Sequence, residues 1–303
     1  MPGEPAGYNP TVKDARQTTP ETDEAPFTEV PRLVQLSDRE EQVVEHRLAP
    51  RAAVLFETVR REGANELARP ATALAFSGLA AGLSMGFSLV GTGLLRALIP
   101  PAPFRPLIES LGYTVGFLIV VLGRQQLFTE NTVTAILPLL DNPNHWKRFA
   151  QVARLWAIVL ATNIVGAAAF AYTVARTDAF SGPVRAAFLA IGTEAANQPF
   201  STILVRGIFA GWLIALMVWL LPAAENARIW VIIIVTYIVG AAGLSHIIAG
   251  SVEVLYTVAA GERTWGDYFT QFFVPVFIGN SVGGIGLVSL LNYGQVAPEG
   301  DTS

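Results

Sequence analysis

From residue 70 to residue 292 the chain is a series of apolar runs separated by short polar stretches, each run close to the ~20 residues needed to cross a bilayer. Crossings are predicted at 70–99, 112–140, 152–175, 202–221, 228–260 and 268–291. The first is rich in small residues (SGLAAGLSMGFSLVGTG), which permit close helix contact. Two of the six are interrupted. At 116–140 the run GFLIVVLGRQQLFTENTVTAILPLL carries Arg124, Gln125, Gln126, Thr129, Glu130, Asn131 and Thr132 at its centre. The fifth crossing is broken near its middle by His246, two glycines, a serine and Glu253. Backbone that leaves helical geometry at bilayer depth exposes unpaired N–H and C=O groups, so it survives only where protein buries it or where it lines a polar cavity. Interruptions in corresponding spans of the two halves predict an inverted repeat of three helices plus three, with a solute site where the breaks meet. Glycine-rich interruptions also occur as simple kinks or packing sites. A kink alone does not account for seven polar residues within nine positions.

The flanks read differently. Residues 1–35 are polar, proline-rich and acidic, the pattern of a disordered tail without the apolar core of a signal sequence. Residues 36–69 are charged but place Val43, Val44 and Leu48, then Val54, Leu55 and Val59, at helical spacing. One or two cytoplasmic amphipathic helices are predicted there, too short to hold a core alone. A polar C-terminal tail is expected over 293–303.

Composition supports the membrane reading. The chain is 52% hydrophobic and 15% charged with a mean hydropathy of +0.45, outside the range of an ordinary soluble domain. With no cysteine and only His46, His145 and His246, it offers no disulfide and no metal-ligand spacing, and no cofactor is expected. A net charge of −4 without a basic stripe gives no reason to expect nucleic acid as a partner. Six crossings put both termini on one side. With that side inside, Arg51, Arg60, Arg61, Arg69, Lys147, Arg148, Arg154 and Arg228 lie at cytoplasmic helix ends. Arg96, Arg105, Arg176, Arg185, Arg206 and Arg263 lie opposite, so the excess places both termini in the cytoplasm. The connection between residues 176 and 200 then lies outside and is expected to be partly helical.

At this point the motifs carry a resemblance. GFLIVVLGRQQLFTENTVT resembles the signature of the formate/nitrite transporter family, and LSHIIAGSVE resembles its histidine-bearing break. RGIFAGWLIALMVWL and FFVPVFIGNSVGG are similar to its fourth helix and the start of its sixth. The four occur in the family's order over residues 70–291, and GRQQLFTENT is shared with one divergent branch of it. The resemblance implies an all-α integral membrane fold with aquaporin-like protomers assembled as a homopentamer, each with its own pore, in a bacterial inner membrane. It implies that Leu127 and Phe128 form an apolar constriction and that Thr129 stands near His246. A bare anion is costly in an apolar pore, whereas a neutral weak acid is not. Histidine has an unperturbed pKa near physiological pH, and a threonine hydroxyl both donates and accepts, so His246 is a candidate proton relay or electrostatic gate oriented by Thr129.

The departures bear on the solute. Family members that carry formate, nitrite or hydrosulfide have a lysine in the outer vestibule and an asparagine within the fourth helix. Counting from Arg206 and Gly207, these positions hold Ala195, beside Glu194, and Gly211. Loss of the cation reverses the local field for anions. Arg124, Glu130 and Glu253 flank the breaks, and charges at that depth are expected to pair, as Arg124 with Glu130 or with Glu253. Alternatively one carboxylate belongs to the conduction path, or Arg124 supplies the missing cation. The expected function is a channel or transporter for a small monovalent solute, first a weak-acid anion moving with a proton, second a cation or neutral solute such as ammonium. A non-transporting receptor or scaffold fits less well, and no nucleophile–base or HExxH pattern suggests an enzyme.

Overall fold

The computed structural model describes residues 50–140 and 145–300, together with Ser37 and Arg39. The chain divides into a unit of residues 1–48 and a unit from Ala49 onward. The expected tail at 1–35 and the first amphipathic stretch, with Val43, Val44 and Leu48, lie outside the described residues.

Helix α1 (Ala52–Ala68) buries Phe56, Val59, Gly63 and Leu67, a spacing of three and four that keeps them on one face. Phe56 packs edge-on against Trp219 at 6.4 Å and tilted against Tyr293 at 6.0 Å, so α1 lies on the bundle as a surface helix. On its wet side, hydrogen bonds from Arg60 and Arg61 hold the Glu57 carboxyl at about 2, well below the usual carboxylate range.

The apolar runs form the remaining elements: α2 (Ala71–Leu98), α3 (Arg105–Leu122), α4 (Phe128–Thr134), α5 (Leu137–Leu140), α6 (His145–Arg176), α7 (Gly182–Ala196), α8 (Phe200–Leu220), α9 (Arg228–Ala241) and α10 (Ile247–Ala260). A last long helix, α11 (Trp265–Gly300), contains two wider π-type stretches, Tyr268–Phe273 and Val282–Ser289. Helix α2 packs between α3 and α6, while α8 packs on α11 and α9 lies along α3. At the α2–α3 contact Gly91 and Gly112 face each other, and a Cβ added at Gly91 would stand 2.9 Å from the Gly112 Cα. That approach is open only to glycine.

Among the described residues, five helices are long and apolar enough to cross a bilayer: Ala71–Leu98, Arg105–Leu122, Trp146–Arg176, Phe200–Ala223 and Trp265–Val296. The stretch expected as a broken fifth crossing consists of two 14-residue helices, α9 and α10. Each reaches about 21 Å at 1.5 Å per residue, short of the ~30 Å hydrocarbon layer.

Several boundaries move, with identifiable causes. Helix α3 begins at Arg105 rather than at 112, because Pro106 is tolerated in a first helical turn and Glu109 is ion-paired. A sequence scan treats those charges as the edge of a span. Helix α6 starts at His145, before the expected 152. The last helix runs on to Gly300 through residues taken as the start of a polar tail.

Candidate functional site

Both interruptions are built the same way. Helix α3 ends in a turn where Arg124 N–H donates to Val121 O (3.2 Å) and Gln125 N–H to Val120 O (3.0 Å). Helix α9 ends with Gly243 N–H on Gly240 O (3.0 Å) and Leu244 N–H on Val239 O (2.9 Å). This is the Schellman pattern, which needs a left-handed residue after the cap. Arg124 supplies φ 50° and Gly243 supplies φ 59°.

Three residues outside any helix then lead to the next helix, whose free N–H groups and neighbouring carbonyls need partners inside the protein. One asparagine supplies them at each break. Asn163 on α6 accepts from Phe128 N–H at 3.0 Å and donates to Gln126 O at 2.9 Å and Gly78 O at 2.7 Å. Asn280 on α11 accepts from Ile247 N–H at 2.9 Å and donates to Ser245 O at 2.9 Å and Gly207 O at 2.8 Å. Sequence reasoning passed over both residues. The signal available was an amide side chain inside an apolar run, where polar groups are expensive.

The breaks differ at the residue that opens the second half-helix. Leu127 and His246 both adopt extended backbone there, φ −106°, ψ 130° and φ −99°, ψ 130°. Leu127 has no polar side chain with which to cap α4. His246 Nδ1 accepts from Ala249 N–H at 3.2 Å, capping α10, and its Nε2 lies 2.8 Å from Thr129 Oγ1. An accepting Nδ1 carries no hydrogen, which assigns the proton to Nε2 and makes Thr129 Oγ1 the acceptor. The Thr129 hydroxyl hydrogen is left to donate elsewhere.

Apolar rings surround this pair. Phe117 meets the imidazole edge-on at 4.9 Å, and Phe128 packs on Trp156 at 5.4 Å and Phe277 at 5.5 Å. Leu127, Phe128, Thr129 and His246 are all buried. Two cavities approach them from different ends of α3 and α9. One, of about 370 Å³, is lined by Pro106, Tyr113, Gly243, His246 and Glu253, with α7 on its wall. The other, of about 170 Å³, is lined by Val121, Gln126, Glu130, Arg228 and Ile232, with α1 on its wall. Helix α3 therefore runs from the α7-side cavity to the α1-side cavity, and α9 runs the other way.

The remaining charges are distributed otherwise than expected. Arg124 pairs with neither Glu130 nor Glu253. Its left-handed backbone sits at the mouth of the α1-side cavity, where the side chain is 68% exposed and 3.3 Å from Glu62. Glu253 lies on the other cavity, out of its reach. Glu194 is ion-paired to Arg96 at 2.9 Å, and Arg96 also holds the buried Glu109 at 2.9 Å, with Arg105 2.7 Å from the same carboxyl. Arg206 lines the α7-side cavity and has no ion-pair partner among the described residues. Arg96, Glu109 and Arg206 were not singled out from the sequence.

A family model for formate/nitrite transporters matches residues 53–294, nearly the whole described chain. The chain belongs to the formate/nitrite transporter family. Members of that family are channels and transporters rather than enzymes. The chain is 41% identical over 255 residues to the inner membrane protein YfdC of Escherichia coli (strain K12), covering 84% of this chain and 82% of that one. It is 28% identical over 247 residues to the formate channel BtFdhC of Bacillus thuringiensis, covering 77% and 91%. A solved pentameric formate channel with formate bound superposes with a TM-score of 0.62 at 20% identity, over 75% of this chain and 98% of that one.

Two positions where the chain departs from the formate/nitrite transporter pattern now have surroundings. Ala195 lines the α7-side cavity. Gly211 faces the α11 backbone, where a Cβ would stand 2.6 Å from the Asn280 Cα, so this packing has no room for an asparagine side chain.

Proposed function

We propose that this formate/nitrite transporter family channel passes a small monovalent weak-acid anion together with a proton, through the constriction of Leu127, Phe128, Thr129 and His246. The observation that carries the reading is the 2.8 Å Thr129–His246 contact, set among apolar rings between two cavities that enter from different ends of α3 and α9. An anion stripped of water in such a ring costs on the order of several kcal/mol or more, and its protonated form crosses at far lower cost. The neutral acid still meets one donor, the Thr129 hydroxyl, and one hydrogen-bonded imidazole.

The architecture in this reading has six crossings, with α3 plus α4 and α9 plus α10 as the two broken ones. The matching Schellman turns and asparagine clamps, and the opposed directions of α3 and α9, support an inverted repeat. The pentameric assembly of the structural neighbour and the location in the name of the 41% identical relative support a homopentamer in a bacterial inner membrane. The Lys and Arg excess places both termini, and the α1-side cavity, in the cytoplasm.

A second reading has its own observation. On the α7-side wall Glu109, Glu194 and Glu253 outnumber Arg96 and Arg206, which favours a cation or a neutral solute such as ammonium. Stopped-flow uptake of formate, nitrite, hydrosulfide and ammonium into proteoliposomes across a pH series separates the two. Weak-acid flux that rises as pH falls supports the first reading. Ammonium flux without any weak-acid flux replaces it with the second, and no flux of any of the four leaves a receptor or scaffold.

A further inference from the structure

Among the described residues, each cavity holds one carboxyl that makes no ion pair, and the proposed constriction lies between them. Glu253 on α10 shares the α7-side wall with His246. The charged groups facing it there are Arg96 from α2, Glu109 from α3, Glu194 from α7 and Arg206 from α8, with Tyr113 and His246 as the other titratable side chains. Arg96 is taken up by Glu109 and Glu194, and neither arginine makes an ion pair with Glu253. On the other side Glu130 faces Glu62 and Glu66 from α1, Arg124 from the first break and Arg228 from α9. Arg124 is paired with Glu62, Arg228 donates to Leu221 O, and the buried Glu130 Oε1 has no hydrogen-bond partner among the described residues.

A carboxylate at bilayer depth without a cation or a donor is costly, and a proton removes the charge and turns one oxygen into a donor. His246 is badly placed for that task. Its Nδ1 is occupied as the cap of α10, and a proton there would set one donor against another at the positive end of a helix.

We propose that Glu253 and Glu130 are the proton-exchange groups of this channel, one facing each cavity, and that the Thr129–His246 pair between them passes the neutral acid. The proposal rests on the weak-acid reading above. An anion entering the α7-side cavity takes the carboxyl proton of Glu253. The Glu253 O–H bond breaks as the O–H bond of the acid forms, leaving a carboxylate and a neutral molecule. That molecule crosses the constriction and gives its proton to Glu130, whose own proton has first passed to water in the α1-side cavity, and the anion leaves into that cavity. Water in the α7-side cavity returns a proton to Glu253. One anion and one proton have then crossed, and transport in the opposite direction uses the same groups in reverse order.

The test measures formate uptake and internal acidification together in proteoliposomes holding the full chain, Glu253→Gln, Glu130→Gln and the two aspartate variants. Glutamine keeps the size of the side chain but exchanges no proton. Both fluxes are expected to fall at least about tenfold in each glutamine variant, with a flattened pH dependence, and to recover in part with aspartate. Wild-type fluxes in both glutamine variants, while the unmodified chain carries formate with protons, overturn this assignment and leave the weak-acid reading standing. Aspartate variants that assemble normally but carry no more than their glutamine counterparts also overturn it. An unmodified chain that passes no weak acid overturns both.

Discussion

At the first break Gln125 N–H closes on Val120 O and Phe128 N–H on Asn163; at the second Leu244 N–H closes on Val239 O and Ile247 N–H on Asn280. Up to that point the two breaks follow the same backbone hydrogen-bond pattern. They part at the residue that opens the following half-helix, a leucine in one and a histidine in the other. The difference separates two demands on the same backbone. Satisfying buried N–H and C=O groups leaves few solutions, and both breaks use the same one. In the proposed constriction the two breaks differ at one side-chain position, and only the histidine adds a cap to its helix.

The comparison can be broken most directly by making the breaks alike. His246→Leu removes the imidazole and its contact with Thr129, and weak-acid flux in proteoliposomes is expected to fall about tenfold to a hundredfold, since an unsatisfied buried polar group costs ~1–3 kcal/mol. The oligomer should survive in detergent, because the lost cap is worth only ~1 kcal/mol. Monomeric or aggregated product would show instead that His246 holds the fold. Thr129→Ala should likewise change flux and its pH profile while the assembly mass stays the same.

The asparagine clamps should be energetically equal. Asn163→Ala and Asn280→Ala each strand one buried N–H and two carbonyl partners, and each is expected to destabilise by about 3 kcal/mol, given ~1–3 kcal/mol per unsatisfied buried group. Thermal unfolding in detergent that differs by several degrees between the two variants would end the claim of equivalence. The left-handed residues should respond with opposite sign. Arg124→Gly relieves a side chain held at φ 50° and Gly243→Ala introduces one at φ 59°, so a gain and a loss of about 1 kcal/mol are expected in the same measurement. Loss of the exposed Arg124–Glu62 pair subtracts little from the gain.

Glu57 sets the floor, since it lies on α1 away from both breaks. Its carboxyl sits at about 2 against an ordinary 4.5, so it stabilises the folded state above pH 4.5 and loses that contribution as pH falls towards 2. The group is 37% exposed, so screening limits the effect of Glu57→Gln to a few tenths of a kcal/mol at neutral pH. A larger change would mean that α1 carries more of the stability than its exposed charges suggest.

The apolar runs and their two interruptions were legible in the sequence because hydropathy and helical spacing are local properties, and bilayer thickness turns them into counts of residues. LFTENT and LSHIIAG announced both breaks, because polar residues at that depth need a reason to be there. Tertiary structure decided what those residues touch. Arg124 looked like a partner for Glu130 or Glu253 when only distance along the chain was known, yet its turn carries it to Glu62. Arg105 and Glu109 looked like the edge of a span, yet an ion pair with Arg96 lets the helix contain them. Thr129 and His246 are 117 residues apart, and the family motifs were needed to suggest that they meet. Asn163 and Asn280 pass in the sequence for stray amides in apolar helices, because the carbonyls they hold belong to other segments. Sequence alone thus determined where the chain must leave helical geometry, a matter of local composition. Which side chains close those openings, and which carboxyls remain without a cation, depends on directions that exist only once the helices have packed.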